Sequence, residues 1–381
     1  MKQPVILQVL PRLRTGGVER GTIEIAGAIH SEGWRALVAS EGGSMLPGLA
    51  YAGGNHISLP LASKNPLTIL RNARALEKII REHKVDIIHA RSRAPAWSAY
   101  FAAKRAGIPF MTTFHGVYGL NPGVKKYYNA VMTKGGRVIA ISHFVSDHIL
   151  ANYDVNPEKI RIIHRGVDLQ VFNPELIKPQ RMVELAASWR VPDDKPLILM
   201  PARITRWKGQ HVLVEALYKL PHRNFFCLLV GDDMGHPNYR QEVEKQIATY
   251  NLGSNIRIAG NTTSMAEAYL LADIVVSPSI DPEAFGRVPV EAQAMGRPVI
   301  ATNHGGACET IIPGETGWLV NPGDAEDLSH AIHYILELPK EEKERIGNQA
   351  MWHVRENFSA NKMCEKTLQV YKELIGKRNA E

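Results

Sequence analysis

The sequence predicts an α/β chain built as two consecutive doubly wound parallel sheets, and three observations carry that reading. Short apolar runs alternate with amphipathic helical patterns along most of the chain, as in parallel sheets covered on both faces. The alternation pauses in a proline-bearing segment around residues 168–194 and then restarts. Glycine, histidine and basic residues gather where the apolar runs end, which is where open sheets of this kind hold ligands.

Residues 4–10, PVILQVL, read as a buried strand; the loop PRLRTGGVER follows, then a helix with Val18, Ile25, Ala26 and Ile29 near one face. Gly16 and Gly17 either let backbone approach a ligand or simply make a tight turn. Their spacing fits neither a dinucleotide-binding nor a P-loop motif. RALVAS, HISLP, a helix over 66–83, VDIIHA, a helix around 95–106, IPFMTTFH, a helix around 123–133 and GRVIAIS complete the first half. His89 and His115 fall at strand ends beside Arg91, Arg93 and Gly116. Each is a satisfied structural histidine or part of a site.

The second half runs LILMPAR, a helix from about 208 to 220, NFFCLLVGDD, a helix from about 237 to 251, NIRIAG, a helix over 264–271 and DIVVSPS. The stretch Ser277–Glu309 comes next, with Pro289 in a helix's first turn, Gly296 closing that helix and the strand RPVIAT behind it. GWLV, a helix over 324–337 and an amphipathic helix burying Phe358, Met363, Leu368, Tyr371, Leu374 and Ile375 end the chain.

At 381 residues, 45% hydrophobic and 22% charged, the chain is long enough for two separate cores. Its three cysteines are scattered and lack a CxxC pair, which argues against a disulfide framework and a structural zinc. The N-terminal apolar run is too short for a signal or membrane segment, giving an expectation of a cytosolic protein. The net charge of +7 belongs to the first half, where residues 1–175 hold 22 Lys and Arg against 12 Asp and Glu. Such a face suits nucleic acid, anionic lipid or an acidic substrate; no zinc-finger spacing, RNP-like run or basic zipper supports nucleic acid.

Chemistry-bearing residues of the second half fall at strand ends and helix starts. Arg203 and Lys208 share one strand-to-helix loop, Gly231 and Gly260 end the next two strands, and Glu283, Phe285, Gly286, Arg287 and Glu291 follow the fourth. An arginine fork with a lysine point charge suits a diphosphate. Carboxylates suit the hydroxyls of ribose or a sugar, and helix starts bind anions. Taken singly, Arg203 and Lys208 are equally surface charges, and Glu291 a helix-start acid.

The segment EAFGRVPVEAQAMGRPVIATNHGGACETIIPGETGWLVNPGD, with its Glu-x7-Glu spacing, resembles the donor-site signature of the family-4 (group 1) retaining glycosyltransferases, including bacterial lipopolysaccharide-core transferases. LRTGGVER, DIIHARS, TTFHG, AISHFVSDHI, IIHRGVD and ARITRWKGQ extend the resemblance over nearly the whole chain; Ile141 departs from it, standing where a polar residue is frequent. The resemblance implies the GT-B arrangement: two Rossmann-like domains facing across a cleft, with a C-terminal helix crossing back. The expected boundaries are 1–170 for the acceptor side, 171–355 for the donor side and 356–381 for the returning helix.

It also implies roles. Arg203 and Lys208 would bind the donor diphosphate, Phe285 and Gly286 would offer backbone donors, Glu283 would hold sugar hydroxyls and Glu291 the ribose. His115 would line the reaction centre, with Gly16 and Gly17 closing on the phosphates. His89, Arg91, Arg93, Lys125 and Lys126 are expected on the acceptor side. No metal and no cofactor are expected, since the nucleotide-diphosphate sugar is a substrate. The DxD-like Asp281-Pro282-Glu283 is discounted as a metal motif.

The expected partners are the donor, with a weak lean to GDP-mannose, and a glycolipid or saccharide acceptor in lipopolysaccharide-core or other cell-envelope synthesis. Lys125, Lys126, Tyr127, Tyr128, Lys134 and Arg137 form either a contact with the inner face of the cell membrane or an ordinary solvated helix face. The rival readings are a GT-B sugar-nucleotide epimerase and a non-catalytic nucleotide-sugar-binding protein.

Overall fold

The computed structural model describes residues 3–14, 16–119, 124–233, 235 and 237–380. The chain divides into two compact units, one of residues 1–166 with 360–381, the other of residues 167–359.

In the first unit β1 (Val5–Val9), β2 (Arg35–Ser40), β3 (Asn55–Ser58), β4 (Ile87–Ala90), β5 (Phe110–Phe114), β6 (Arg137–Ala140) and β7 (Ile160–Ile162) form a seven-stranded parallel sheet in the order β3-β2-β1-β4-β5-β6-β7. Its helices are α1 (Gly17–Ser31), α2 (Leu46–Tyr51), α3 (Pro66–His83), α4 (Arg93–Ala106), α5 (Val124–Asn129) and α6 (His143–Asn152). Local chemistry sets their limits. Asn65 caps α3 by accepting from the Leu67 and Thr68 amides at 2.9 and 3.4 Å, Pro66 supplies the fixed first-turn φ, and Lys84 ends the helix in the left-handed region.

The second unit holds α7 (Pro179–Trp189), β8 (Leu197–Pro201), α8 (Gln210–Tyr218), β9 (Phe226–Val230), α9 (Pro237–Thr249), β10 (Ile256–Gly260), α10 (Met265–Leu271), β11 (Ile274–Ser277), α11 (Arg287–Ala294), β12 (Val299–Thr302), β13 (Trp318–Val320), α12 (Ala325–Glu337) and α13 (Lys340–Asn357). Its sheet is parallel and six-stranded, in the order β10-β9-β8-β11-β12-β13. Strands β8, β9, β11 and β12 are buried on both faces, so they read as continuous apolar runs rather than alternating ones.

α14 (Ala360–Ala380) belongs to the first unit, where Met363, Cys364, Val370, Tyr371 and Leu374 join the core made by Ile6, Ile25, Ile87 and Met111. Burying each of the larger apolar side chains contributes about 1.5–3 kcal/mol. Glu373 fixes the helix further, accepting from Arg137 Nε and Arg161 Nη2 at 2.9 Å each.

The alternation predicted from sequence is present, with α2, α6, α7, α13 and β7 added to it. α13 buries only Ile346, Gly347, Ala350 and Val354 along an otherwise polar surface, and a side chain on Gly347 would strike the Gly296 carbonyl at 2.4 Å. Strand order reverses between β1 and β4 in one sheet and between β8 and β11 in the other. Loops leaving such strands in opposite directions open a crevice at their carboxyl ends.

Candidate active site

In the second unit that switch point brings Arg203, Lys208 and Glu283 onto facing loops. The Ile280 amide donates to the Trp207 carbonyl at 2.8 Å, tying the loop after β8 to the loop after β11. Gly209, at φ 80°, permits the approach: a side chain there would stand 2.0 Å from the Pro278 carbonyl oxygen. The tie sets Lys208 Nζ 2.6 Å from Glu283 Oε1, over the Trp207 ring at 4.3 Å. Ser279 Oγ donates to the same carboxylate oxygen at 2.6 Å. Arg203 extends its side chain into solvent while its carbonyl accepts from Gln210 Nε2 at 2.8 Å.

Glu283 is braced through its backbone as well. Its carbonyl accepts from the Gly306 amide at 2.6 Å, and a Cβ on Gly306 would meet the Ala284 carbonyl at 2.4 Å. Gly286 caps α11 at φ 85° and packs against Ala307, while the Phe285 ring is buried edge-on to Phe358. Glu291 is buried one turn into α11; Tyr269 donates to its Oε2 at 2.9 Å and Arg287 pairs with its Oε1. Burial and the Glu291 charge together push the Tyr269 phenol well above its ordinary range, keeping it a donor. Gly260 ends β10 at φ 71° with open space on its Cβ side.

In the first unit the loops after β4, β5 and β7 gather around the start of α1. Gly16 caps that helix and Gly17 is its first residue. The Arg165 guanidinium reaches the Gly17 carbonyl and donates through Nη1 to His115 Nδ1 at 2.9 Å. A Cβ on Gly21 would meet both the Arg165 and Arg91 guanidiniums, at 3.1 and 3.2 Å, so the two lie side by side. Burial, then the charges of Arg165 and Arg91 and the neighbouring His89, hold His115 well below the ordinary histidine range, and it is neutral near pH 7. Its Nε2 is buried without a protein partner among the described residues.

Two expectations, on His89 and Arg137, require correction. His89 is fully buried; its Nδ1 pairs with Tyr371 Oη and its Nε2 with Thr113 Oγ1, both at 2.7 Å, so neither ring nitrogen is left for an acceptor. At Gly231 a Cβ would stand 2.0 Å from the Ala202 carbonyl oxygen, so the end of β9 packs too closely for any side chain. Arg137 is buried against Glu373 and leaves the basic surface cluster, whereas Lys125 and Lys126 are exposed on α5 beside Tyr127, which stacks on Trp97. Arg91 is buried beneath the start of α1, and Arg93 donates to Asn129 while lying 4.2 Å over the Tyr118 ring.

Arg165, Ser279 and Tyr269 lie outside the residues expected from sequence. Arg165 had a visible signal in the IIHRGVD segment; Ser279 and Tyr269 are ordinary residues that only the folded chain brings to a carboxylate.

Residues 15–171 match the family model Glycosyltransferase Family 4, and residues 183–351 match Glycosyl transferases group 1. A glycosyltransferase from Rickettsia africae ESF-5 is 45% identical in sequence, with a TM-score of 0.92 over 98% of this chain and 99% of that one. Anabaena Alr3699/HepE in complex with UDP superposes with a TM-score of 0.84 at 23% identity, over 97% of this chain and the whole of that one at 100%. The Arabidopsis thaliana sulfoquinovosyl transferase SQD2 is 27% identical over 318 residues, covering 80% of this chain and 59% of that protein. The chain thus spans about three-fifths of that relative's length.

Proposed function

The chain belongs to the glycosyltransferases, with the GT-B pair of parallel-sheet units, and on that basis we propose that it transfers a hexosyl group from a nucleotide-diphosphate sugar to a glycolipid or saccharide acceptor, with retention of configuration and without a metal. The observation that carries the donor reading is the Lys208–Glu283 pair at 2.6 Å, on the loop that also carries Arg203, at the switch point of the second sheet.

Cleaving the anomeric C–O bond places positive charge on the sugar and negative charge on the departing diphosphate. Groups that grip the diphosphate more tightly as that charge builds accelerate the step. Arg203 and Lys208 take this part; Lys208 exchanges its bond to Glu283 for one to phosphate, which frees Glu283 to accept from sugar hydroxyls. Glu291 takes the ribose hydroxyls. The acceptor oxygen bonds to the anomeric carbon on the face the diphosphate leaves, and its proton passes to the departing phosphate oxygen. Glu283 is the sugar clamp in this scheme rather than a nucleophile.

The first unit takes the acceptor, for which its positive balance suits an anionic glycolipid of the cell envelope at the inner face of the membrane. Exposed Lys125, Lys126 and Tyr127 on α5 are the surface for such contact. Among the described residues no helix is long and apolar enough to cross a membrane.

Calorimetry with UDP, GDP and ADP, followed by turnover of UDP-glucose and GDP-mannose and NMR of the product's anomeric centre, tests the reading. UDP enters the panel because the Anabaena protein is in complex with it. Binding of one diphosphate that is lost in Arg203→Ala and Lys208→Ala supports the site. Failure of all three to bind excludes it, an inverted product excludes retention, and loss of turnover with EDTA excludes metal independence.

A further inference from the structure

We propose that Arg165 is a positioning residue that locks His115 in one tautomer, with Nδ1 accepting and Nε2 carrying the hydrogen, so that the first unit offers a fixed neutral N–H donor to the bound sugar or acceptor. A guanidinium has only donors, so the 2.9 Å contact from Arg165 Nη1 obliges Nδ1 to be the unprotonated nitrogen of the imidazole. The remaining hydrogen then sits on Nε2, a buried atom that no group among the described residues satisfies. Leaving a buried donor unmet is unfavourable, and such an atom at the end of a switch-point sheet is poised for a ligand oxygen.

Arg165 is itself held in place. Its other nitrogen meets the Gly17 carbonyl at the first residue of α1, and it packs beside Arg91 over Gly21, where a side chain would be crowded by both. The same guanidinium therefore ties the glycine loop to the histidine. The charged and titratable groups around the imidazole are Arg165 from the segment after β7, Arg91 and His89 from the β4 end, and Tyr118 beyond β5. Two nearby cations oppose any imidazolium, so the ring acts as a hydrogen-bond donor and not as a general acid.

The kinetic part of this inference rests on the transferase reading, whereas the tautomer does not. The test is nitrogen-detected NMR of histidine-labelled full-length protein, with His115→Gln for assignment, from about pH 5.5 to about pH 8. His115 is expected to keep an unprotonated Nδ1 and a protonated Nε2 across that range. In Arg165→Met the tautomers should mix, the acid limb of the turnover profile should move to higher pH, and kcat should fall about 10- to 100-fold with KM little changed; Arg165→Lys should recover part of kcat.

A hydrogen on Nδ1, or an imidazolium near neutral pH, in the unmodified protein overturns the proposal. So does Arg165→Met with unchanged kcat and acid limb. If the tautomer is as stated but no nucleotide sugar is turned over, the transferase reading fails and the histidine lock stands.

Discussion

Replacing Lys208 by methionine removes the ammonium that stands 2.6 Å from the Glu283 carboxylate while keeping the apolar stem that lies on Trp207. At that separation the direct attraction is about 6 kcal/mol at an effective dielectric near 20. Much of this is offset by the desolvation of both ions, and removing one partner of a buried pair costs about 3–5 kcal/mol. The two side chains retain 11% and 15% exposure, and Ser279 goes on donating to Glu283 at 2.6 Å. The low end, about 3 kcal/mol, is therefore expected, or a fall in Tm of about 6–12 °C for a unit of this size. Glu283→Gln in the same chain removes the stranded charge, so the double variant should recover at least half of that loss in urea and thermal unfolding. Turnover should behave differently: Lys208→Met should lose about 100-fold, and Glu283→Gln should restore none of it. Stability within about 0.5 kcal/mol of the parent, or strictly additive single effects in the cycle, would show that the two side chains do not depend on one another.

Three further outcomes follow from named contacts. Gly231→Ala must push its methyl against the Ala202 carbonyl, 2.0 Å away, and should cost about 3 kcal/mol in chemical denaturation. Tyr371→Phe strips His89 Nδ1 of its 2.7 Å partner inside the core and should destabilise the first unit by about 1–3 kcal/mol, read by hydrogen exchange at β4. His89 and His115 both have folded pKa values pushed below the unfolded one, chiefly by burial and then by neighbouring arginines. Groups depressed in this way contribute stability that is present above the unfolded value of about 6.5 and is lost as pH falls below it. Unfolding free energy should drop by up to about 2.7 kcal/mol per pH unit on the acid side of 6.5, and by half as much in His115→Gln.

The two-sheet architecture was legible because both sheets bury both faces: strands such as LILMP and FCLLV are unbroken apolar runs, and their helices are amphipathic. Loop chemistry was legible for the same topological reason, since residues placed at the ends of successive parallel strands converge at a switch point. Long-range polar pairing was not. His89 meets Tyr371 from 282 positions away, and nothing in VDIIHA distinguishes a core histidine from one that faces a ligand. Lys208 and Glu283 lie 75 positions apart, and that they satisfy one another in the free protein is a property of loop approach that neither motif carries. The helix over Lys340–Asn357 carries little sequence signal because its buried stripe of Ile346, Ala350 and Val354 is thin within a highly charged segment.

The helix α14 completes a core begun some 350 residues earlier in the chain, since Tyr371 closes on His89 and Met363 on the strands of the first sheet. On a ribosome the first unit therefore waits, its His89 Nδ1 without Tyr371 and an apolar face uncovered, while the whole second unit is synthesised and can fold on its own. At about 5–20 residues per second that interval is on the order of ten to forty seconds. Chains stopped short of α14 would carry an intact second unit on an unfinished first one, a state for chaperones to hold and proteases to clear.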